Sequence, residues 1–267
     1  MTKTILLNLL CLVAMAASAQ QKADIEVSYT QTNKGLRGGM TTSDWTMLAN
    51  SSLSKFYNRL SEKIDSMCST PKGKKEYDAL MFKSMSSGKA SMAKPSNLYV
   101  IISNSKSEVE VYGKAVDNYY RYSEPFDEMS WVMTDSVKII IGYECLQAKT
   151  TYHGRNWIAW FTPEIPISTG PWKFRGLPGI ILEAYDSDRD YCFVATGIEK
   201  TTEEIRPVYS KKQYEKSDRK AMLKMQRKFV ENPMMHIEAQ FGKITEIDGP
   251  GFPKIPDGWD YPETDYR

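Results

Sequence analysis

The sequence is short of the residues with which most enzymes act. It has two histidines, His153 and His236. Neither has a second histidine or a carboxylate at the spacing of a His-Glu-x-x-His zinc site. There is no Gly-x-Ser-x-Gly turn to expose a nucleophilic serine, no Gly-rich phosphate loop and no Gly-x-Gly-x-x-Gly fingerprint. The four cysteines include no Cys-x-x-Cys pair, which argues against structural zinc and thioredoxin-like chemistry. Charge is nearly balanced, with 35 Lys and Arg against 33 Asp and Glu. A nucleic-acid partner, which needs a basic excess, is therefore not expected. No run after residue 19 approaches the ~20 apolar residues of a membrane-spanning helix. Together these absences predict no catalytic residue, no cofactor and no metal.

What is present begins with an address. Lys3 supplies a positive n-region, Ile5 to Ala16 is apolar apart from Asn8, and Ala17-Ser18-Ala19 is a small-x-small cleavage site before Gln20. Residues 1–19 read as a secretory signal peptide, and the mature chain is expected in the periplasm or cell envelope. Cys11 lies inside the apolar run without the small preceding residue of a lipidation site, so no lipid anchor is expected. The other cysteines, Cys68, Cys145 and Cys192, would meet an oxidising compartment. Cys145 and Cys192 both sit in strand-like runs and are the pair a disulfide would join. Buried free thiols are the alternative.

The mature chain, 41% hydrophobic and 12% aromatic, can bury a sizeable core. It reads as one domain over residues 20–232, followed at 233–267 by a final strand near His236–Phe241 and a Pro-rich extended tail. Asp24 to Thr30 alternates apolar and polar residues, as a half-buried strand does, with Ile25, Val27 and Tyr29 inward. Strand or loop is expected to Tyr57, a helix over Asn58–Met67 and a short helix over Lys75–Met85. From Leu98 to Phe161 short branched and aromatic runs alternate with turn residues, the pattern of an antiparallel meander, with His153-Gly154 a tight hairpin turn. Ile180–Asp186 and Tyr191–Lys200 form a last hairpin. Ser210 would cap a basic amphipathic helix over about 211–231, whose charged face is either solvated or turned to an anionic surface.

Several runs are apolar on both faces: Leu98–Ile102, Ile139-Ile140-Ile141 and Trp157–Phe161. An antiparallel sheet with one wet face should alternate. The sheet is therefore expected to be covered on both sides, or to curve around an apolar content. Trp131, Trp157, Trp160 and Trp172 would be core filler or the wall of a ligand site.

Three patterns approach a known chemistry and fall short. Asp186, Asp188 and Asp190 resemble the start of a calcium loop, but its sixth and twelfth positions hold Tyr191 and Gly197 rather than Gly and Glu, so a hairpin turn is the better reading. Met81, Met85 and Met92 could suit Cu(I), yet no Cys or His accompanies them and packing explains them. His153 is expected as a solvated turn histidine.

The densest stretch is Thr162 to Asp186. Leu177 is pushed to extended geometry by the proline after it. Pro178-Gly179 suits the centre of a type II turn, in which Gly179 takes a positive φ, while Gly176 lets the backbone pass close to a neighbour. Glu183, in an otherwise apolar strand, needs a cation, for which Arg155 and Arg175 are candidates.

The run Arg175-Gly176-Leu177-Pro178-Gly179-Ile180-Ile181-Leu182-Glu183 resembles the signature of the GLPGLI family, exported proteins typical of Bacteroidetes. Ile141 to Ala148, His153-Gly154-Arg155, Trp157 to Phe161, Pro163 to Pro166, Gly170 to Phe174, Ser54 to Tyr57 and Asp65-Ser66 fit the same pattern. The resemblance spans about Asp24 to Ile198, and Ile180 in place of Leu conserves volume. It implies export to the envelope and carries no established activity, cofactor or catalytic residue. The fold expected is α+β and β-rich: a curved antiparallel sheet, half-barrel or wrap, packed with a few helices, similar to lipoprotein-carrier folds such as LolA by analogy. The function expected is non-catalytic binding of an apolar ligand or an envelope protein partner, with Trp157, Trp160, Trp172, Gly176, Leu177, Pro178 and Gly179 on its rim. A structural component of an outer-membrane assembly is the alternative, and an envelope enzyme the third reading.

Overall fold

A computed structural model describes residues 21–36, 38–86, 95–126, 129–209, 214–235, 238, 255–256 and 259–267. The signal peptide and most of the expected strand at His236–Phe241 lie outside the described residues, as does Met92.

Twelve strands form one sheet: β1 (Ile25–Lys34), β2 (Met40–Ala49), β3 (Leu53–Tyr57), β4 (Tyr99–Ser103), β5 (Glu108–Ala115), β6 (Asn118–Pro125), β7 (Val132–Ile140), β8 (Tyr143–Tyr152), β9 (Arg155–Thr162), β10 (Ile180–Asp186), β11 (Tyr191–Lys200) and β12 (Glu215–Lys216). Among the described residues three helices join them: α1 (Arg59–Cys68), α2 (Pro71–Ser86) and α3 (Arg219–Glu231). The strand order is β12-β6-β5-β4-β3-β2-β1-β11-β10-β9-β8-β7. Two meanders thus meet where β1 pairs antiparallel with β11, and only β12 runs parallel to its neighbour, β6.

The register puts one set of side chains on a shared face. Val27 lies opposite Met47, Met47 opposite Phe56, Phe56 opposite Val100 and Val100 opposite Val111. All five are buried. The sheet curls towards that face. β6 and β8 stand nine positions apart in the sheet, roughly 43 Å if it were flat. Yet Lys173 Nζ is 5.0 Å from the ring centre of Tyr122 on β6, and the neighbouring Trp172 ring is 6.0 Å from Tyr152 on β8.

The sheet wraps chiefly its own β9–β10 connection, residues 163–179, rather than helices. Ile167, Thr169, Trp172, Lys173, Phe174, Arg175 and Leu177 of this segment are all buried. Phe174 meets Trp157 edge-on at 4.8 Å and Phe193 at 6.3 Å. Thr169 shares a buried 2.8 Å hydrogen bond with Ser54 of β3, and Tyr29 of β1 donates to the Ile181 carbonyl at 2.7 Å. Trp157, Trp172 and Leu177 are therefore core, and Trp160 lies on the opposite, convex face beneath Lys138. Of the expected rim, only Gly176 and Pro178 are exposed. α3 covers one end of the concave face, where Met222 packs on Gly113.

The convex face is covered over β3 and β4. Tyr57 and Tyr99 stack at 6.4 Å in a second cluster with Leu48, Ile205 and Val208. α1 closes it, with Tyr99 donating to Asp65. This double burial accounts for the non-alternating Leu98–Ile102. The Ile139–Ile141 run has another cause: β7 is the terminal strand, and Ile139 is 65% exposed.

Local chemistry sets the boundaries. Asn58 caps α1 by accepting from the Ser61 amide at 2.9 Å. α3 starts at Arg219, not near 211, because Asp218 accepts from the Ala221 amide at 2.8 Å. His153 and Gly154 have φ of 49° and 84°, which close the β8–β9 hairpin as the sequence predicts. The two glycines of the Pro/Gly corner exchange their expected roles. Gly176 holds the positive φ, 88°, whereas a Cβ on Gly179 would lie 2.0 Å from the Thr162 carbonyl oxygen. Glu183 is paired by Lys138 at 2.5 Å rather than by an arginine.

Cys145 and Cys192 are free, as is Cys68. β9 and β10 lie between β8, which carries Cys145, and β11, which carries Cys192. Three strand steps separate the two backbones by about 14 Å, twice the reach of a disulfide.

Candidate functional site

The site forms where the β9–β10 segment, α3 and residues 259–267 converge at one end of the concave face. Lys173 is its centre. It is fully buried, and its ammonium lies 2.6 Å from Glu263 and 2.9 Å from Glu124. Arg219, the first residue of α3, reaches Glu124 at 2.7 Å, Glu263 at 2.7 Å and Asp265 at 2.5 Å. Asp218 sets the start of α3 and so sends the Arg219 guanidinium inward. Two cations are thus shared among three carboxylates, each near hydrogen-bonding distance.

Electrostatics follow from this geometry. Burial alone would lower the Lys173 pKa, but Glu263, Tyr122, Glu124 and Tyr152 raise it well above the ordinary lysine value. Burial likewise pushes the Glu263 carboxyl up, and Lys173, His153 and Arg219 override it, leaving the pKa lowered. Asp265, hydrogen-bonded by Arg219, titrates at about 2. Lys173 is therefore a charged structural cation, not a neutral nucleophile.

His153 is not a solvated turn residue. Its side chain is 6% exposed, with Nδ1 3.5 Å from Asp265 Oδ2 and Nε2 4.0 Å from Glu263 Oε2. Nε2 has no hydrogen-bond partner among the described residues. Burial lowers its pKa below the ordinary value, against the pull of Glu263. His153, Glu263 and Asp265 bring ligand atoms within 4.8 Å of one another. A metal ion would have to displace Arg219 from both carboxylates, so this donor set fits a metal poorly. Asp186, Asp188 and Asp190 also converge, but in a turn where Asp186 is engaged by Arg155 at 2.6 Å and by the Tyr191 amide at 2.7 Å.

Against this cluster lies a cavity of about 380 Å³. Its walls include Leu98 and Val111 from the sheet side, Tyr122, Trp172 from the β9–β10 segment, Met222 from α3, and Tyr261 and Glu263 from the C-terminal segment. A second, polar cleft of about 570 Å³ lies on the other flank of the C-terminal segment, among Arg155, Asp186, Arg227, Trp259 and Asp260.

Residues 259–267, which hold Pro262, form neither helix nor strand, yet they are tied down. Thr264 donates its amide to the His153 carbonyl at 2.8 Å, Tyr191 donates to the Asp260 carbonyl at 2.7 Å, and Trp259 donates to the Lys34 carbonyl at 3.0 Å. Of the residues expected on a binding rim, Trp172 lines the first cavity, whereas Trp157 and Gly176 border separate clefts. The sequence reading missed Lys173, Glu263, Arg219, Glu124 and Asp265. One signal was available: Lys173 lies between Trp172 and Phe174 in a segment that otherwise reads as core.

A family model described as a protein of unknown function (Porph_ging) matches residues 149–183, which include the β9–β10 segment and the Pro/Gly corner. No curated protein matches. Two solved structures of PNGF-II are similar. The one in the C2 space group has a TM-score of 0.52 and 16% identity, covering 76% of this chain and 32% of that one. The one in P21 has a TM-score of 0.53 and 14% identity, covering 78% and 34%. Such identities show a shared fold alone, and the chain spans about a third of the length of PNGF-II.

Proposed function

We propose that this chain is an exported, GLPGLI-type envelope protein that binds a small, largely apolar ligand without transforming it. The supporting observation is the cavity between β5, β6, α3 and the C-terminal segment. At about 380 Å³ it lies within the range of small-molecule sites, with mostly apolar and aromatic walls and a few polar side chains among them. The wider concave face is filled by residues 163–179, which supports a site at its end. Each charge there has an opposite partner within hydrogen-bonding distance, which suits positioning rather than proton transfer. Native mass spectrometry of the mature protein, with organic extraction of the same sample, tests this reading. It expects a co-purifying small molecule, or saturable binding of added acyl compounds that changes tryptophan emission. Failure of both would refute it.

A second reading, an interaction component of an envelope assembly, has its own observation. β7 is an unpaired sheet edge on which Val132, Val137 and Ile139 are 53–66% exposed. It expects a stoichiometric partner that is lost on replacing Val137 and Ile139 with lysine.

A further inference from the structure

The basic side chains at the end of the concave face converge on one short stretch of chain. Lys173 reaches Glu263 at 2.6 Å. Arg219 reaches Glu263 at 2.7 Å and Asp265 through two bonds of 2.5 and 2.7 Å. Arg227, further along α3, lies 3.6 Å from Asp260 and donates to the Trp259 carbonyl at 3.3 Å. Arg155 of β9 donates to the Tyr261 carbonyl at 3.0 Å. Among these charges Trp259 and Tyr266 are buried. Gly154 leaves room for the chain, since a Cβ there would lie 2.3 Å from Thr264 Oγ1. Residues 259–267 are thus held as an acidic, aromatic peptide is held in a groove, by buried aromatic anchors and four cations.

The hold is made chiefly by side chains. Among the described residues a single backbone–backbone bond, from the Thr264 amide to the His153 carbonyl at 2.8 Å, ties the segment to the sheet. Without the segment, Lys173 and Arg219 would share Glu124 alone, two cations against one acid. Such a groove selects acidic chains: a basic one meets like charge, and an apolar one leaves the cations uncompensated. The resident fit is also incomplete. The His153 side chain lies buried beneath the segment, and its Nε2 finds no hydrogen-bond partner among the described residues, with Glu263 4.0 Å away. A buried polar atom is left for a better-matched chain to satisfy.

We infer that this groove is a recognition site for acidic, aromatic chain ends, which residues 259–267 fill in cis and the chain end of a partner protein can take over. Tyr261, Pro262 and Glu263 also wall the apolar cavity, so exchange of the segment would open it. The inference goes beyond the small-ligand reading and needs no molecule in the cavity. A tethered occupant competes at high effective concentration, so a partner's chain must outbind it or arrive where it is weakened.

The test is fluorescence anisotropy of a labelled peptide of residues 257–267 on the mature protein and on its Glu263→Gln variant, with hydrogen exchange on the parent. The variant's own segment lacks the carboxylate that Lys173 and Arg219 share. It should therefore bind the peptide about ten-fold tighter than the parent does, the worth of one charge-assisted hydrogen bond. A peptide that itself carries Glu263→Gln should lose that gain. In the parent the Thr264 amide should exchange about ten-fold faster than the paired amides of β8 and β9, as an element that leaves and returns does. Equal affinity of parent and variant for the peptide, or of the two peptides for the variant, would overturn recognition in trans. Exchange of Thr264 at the rate of those strands would overturn the inference as a whole, and that measurement decides it even if Glu263→Gln fails to fold. Each of these failures leaves the small-ligand reading standing, since extraction and native mass spectrometry test that separately.

Discussion

Replacing Lys173 with methionine tests whether the buried charge cluster holds the C-terminal segment in place. The side chain is fully buried, and its ammonium serves Glu263 at 2.6 Å and Glu124 at 2.9 Å. Methionine keeps most of the volume and removes the charge. Glu263 then keeps Arg219 but loses its shorter contact, deep in a site where an uncompensated carboxylate is costly. Breaking a buried pair by removing one partner costs about 3–5 kcal/mol. For a domain of this size each kcal/mol lowers Tm by about 2–4 °C, so a fall on the order of 10 °C is expected. The double variant Lys173→Met/Glu263→Met removes both charges and leaves Arg219 to Asp265 and Glu124. Since apolar replacement of a buried pair is often neutral, it should be clearly more stable than either single variant. Calorimetry and urea titration of the four proteins read the cycle. If Lys173→Met stays within 1 kcal/mol of the parent, or the double variant loses the sum of the singles, the cluster is not a coupled unit and the reasoning fails.

Three further outcomes follow from the geometry. Gly179→Ala should disrupt folding, since its Cβ would sit 2.0 Å from the Thr162 carbonyl oxygen. Gly176→Ala, strained only by its φ of 88°, should cost about 1–2 kcal/mol; thermal melts that rank them the other way would refute the assignment of roles. Burial lowers the His153 pKa, so the unfolded chain binds that proton at a higher pH than the folded one. Stability from this residue is therefore full above about pH 6.5 and falls as pH drops below it, and His153→Asn, which tolerates the positive φ, should flatten the slope between pH 6.5 and 5 in urea titrations. Finally, Cys68, Cys145 and Cys192 should all alkylate in denaturant without reductant, and mass spectrometry showing a protected pair would contradict their separation.

What the sequence made legible was local. The β1 alternation, the Asn58 cap, the His153-Gly154 turn and the β10–β11 hairpin each depend on residues a few positions apart, and each formed as the pattern required. The two-sided apolar runs correctly implied a sheet covered on both faces and curved. What remained hidden depends on distant residues meeting. Lys173, Glu124, Arg219 and Glu263 come from four separate stretches, and no spacing rule connects them. His153 looked solvated because turns usually are, but residues 259–267 fold back over it. The Ile139–Ile141 run misled because an edge strand and a doubly covered one share the same apolar composition.

That fold-back also explains why the Pro/Gly corner looks functional while its residues serve architecture. A sheet this strongly curled leaves a concave face that must be filled, and water in contact with Trp157, Phe174 and Phe193 would be costly. The chain fills it with its own residues 163–179, and the prolines and glycines allow a segment without helix or strand to sit there. Such a filling brings backbone polar groups into the core, and each needs a partner. The Ile165 and Thr169 carbonyls find theirs in the amides of Ile180 and Ile181, at 3.0 Å each. The segment also buries the charges of Lys173 and Arg175, and satisfying Lys173 takes acids from β6 and from the C-terminal segment. The C-terminal segment is thus part of the core's charge balance as well as a wall of the cavity. Any ligand that enters or leaves beside Tyr261 and Glu263 must do so next to that buried charge, which couples binding there to the fold's stability. A ligand of this cavity should therefore raise the Tm of the parent protein and should protect Lys173→Met less, because the wall it binds is already loosened.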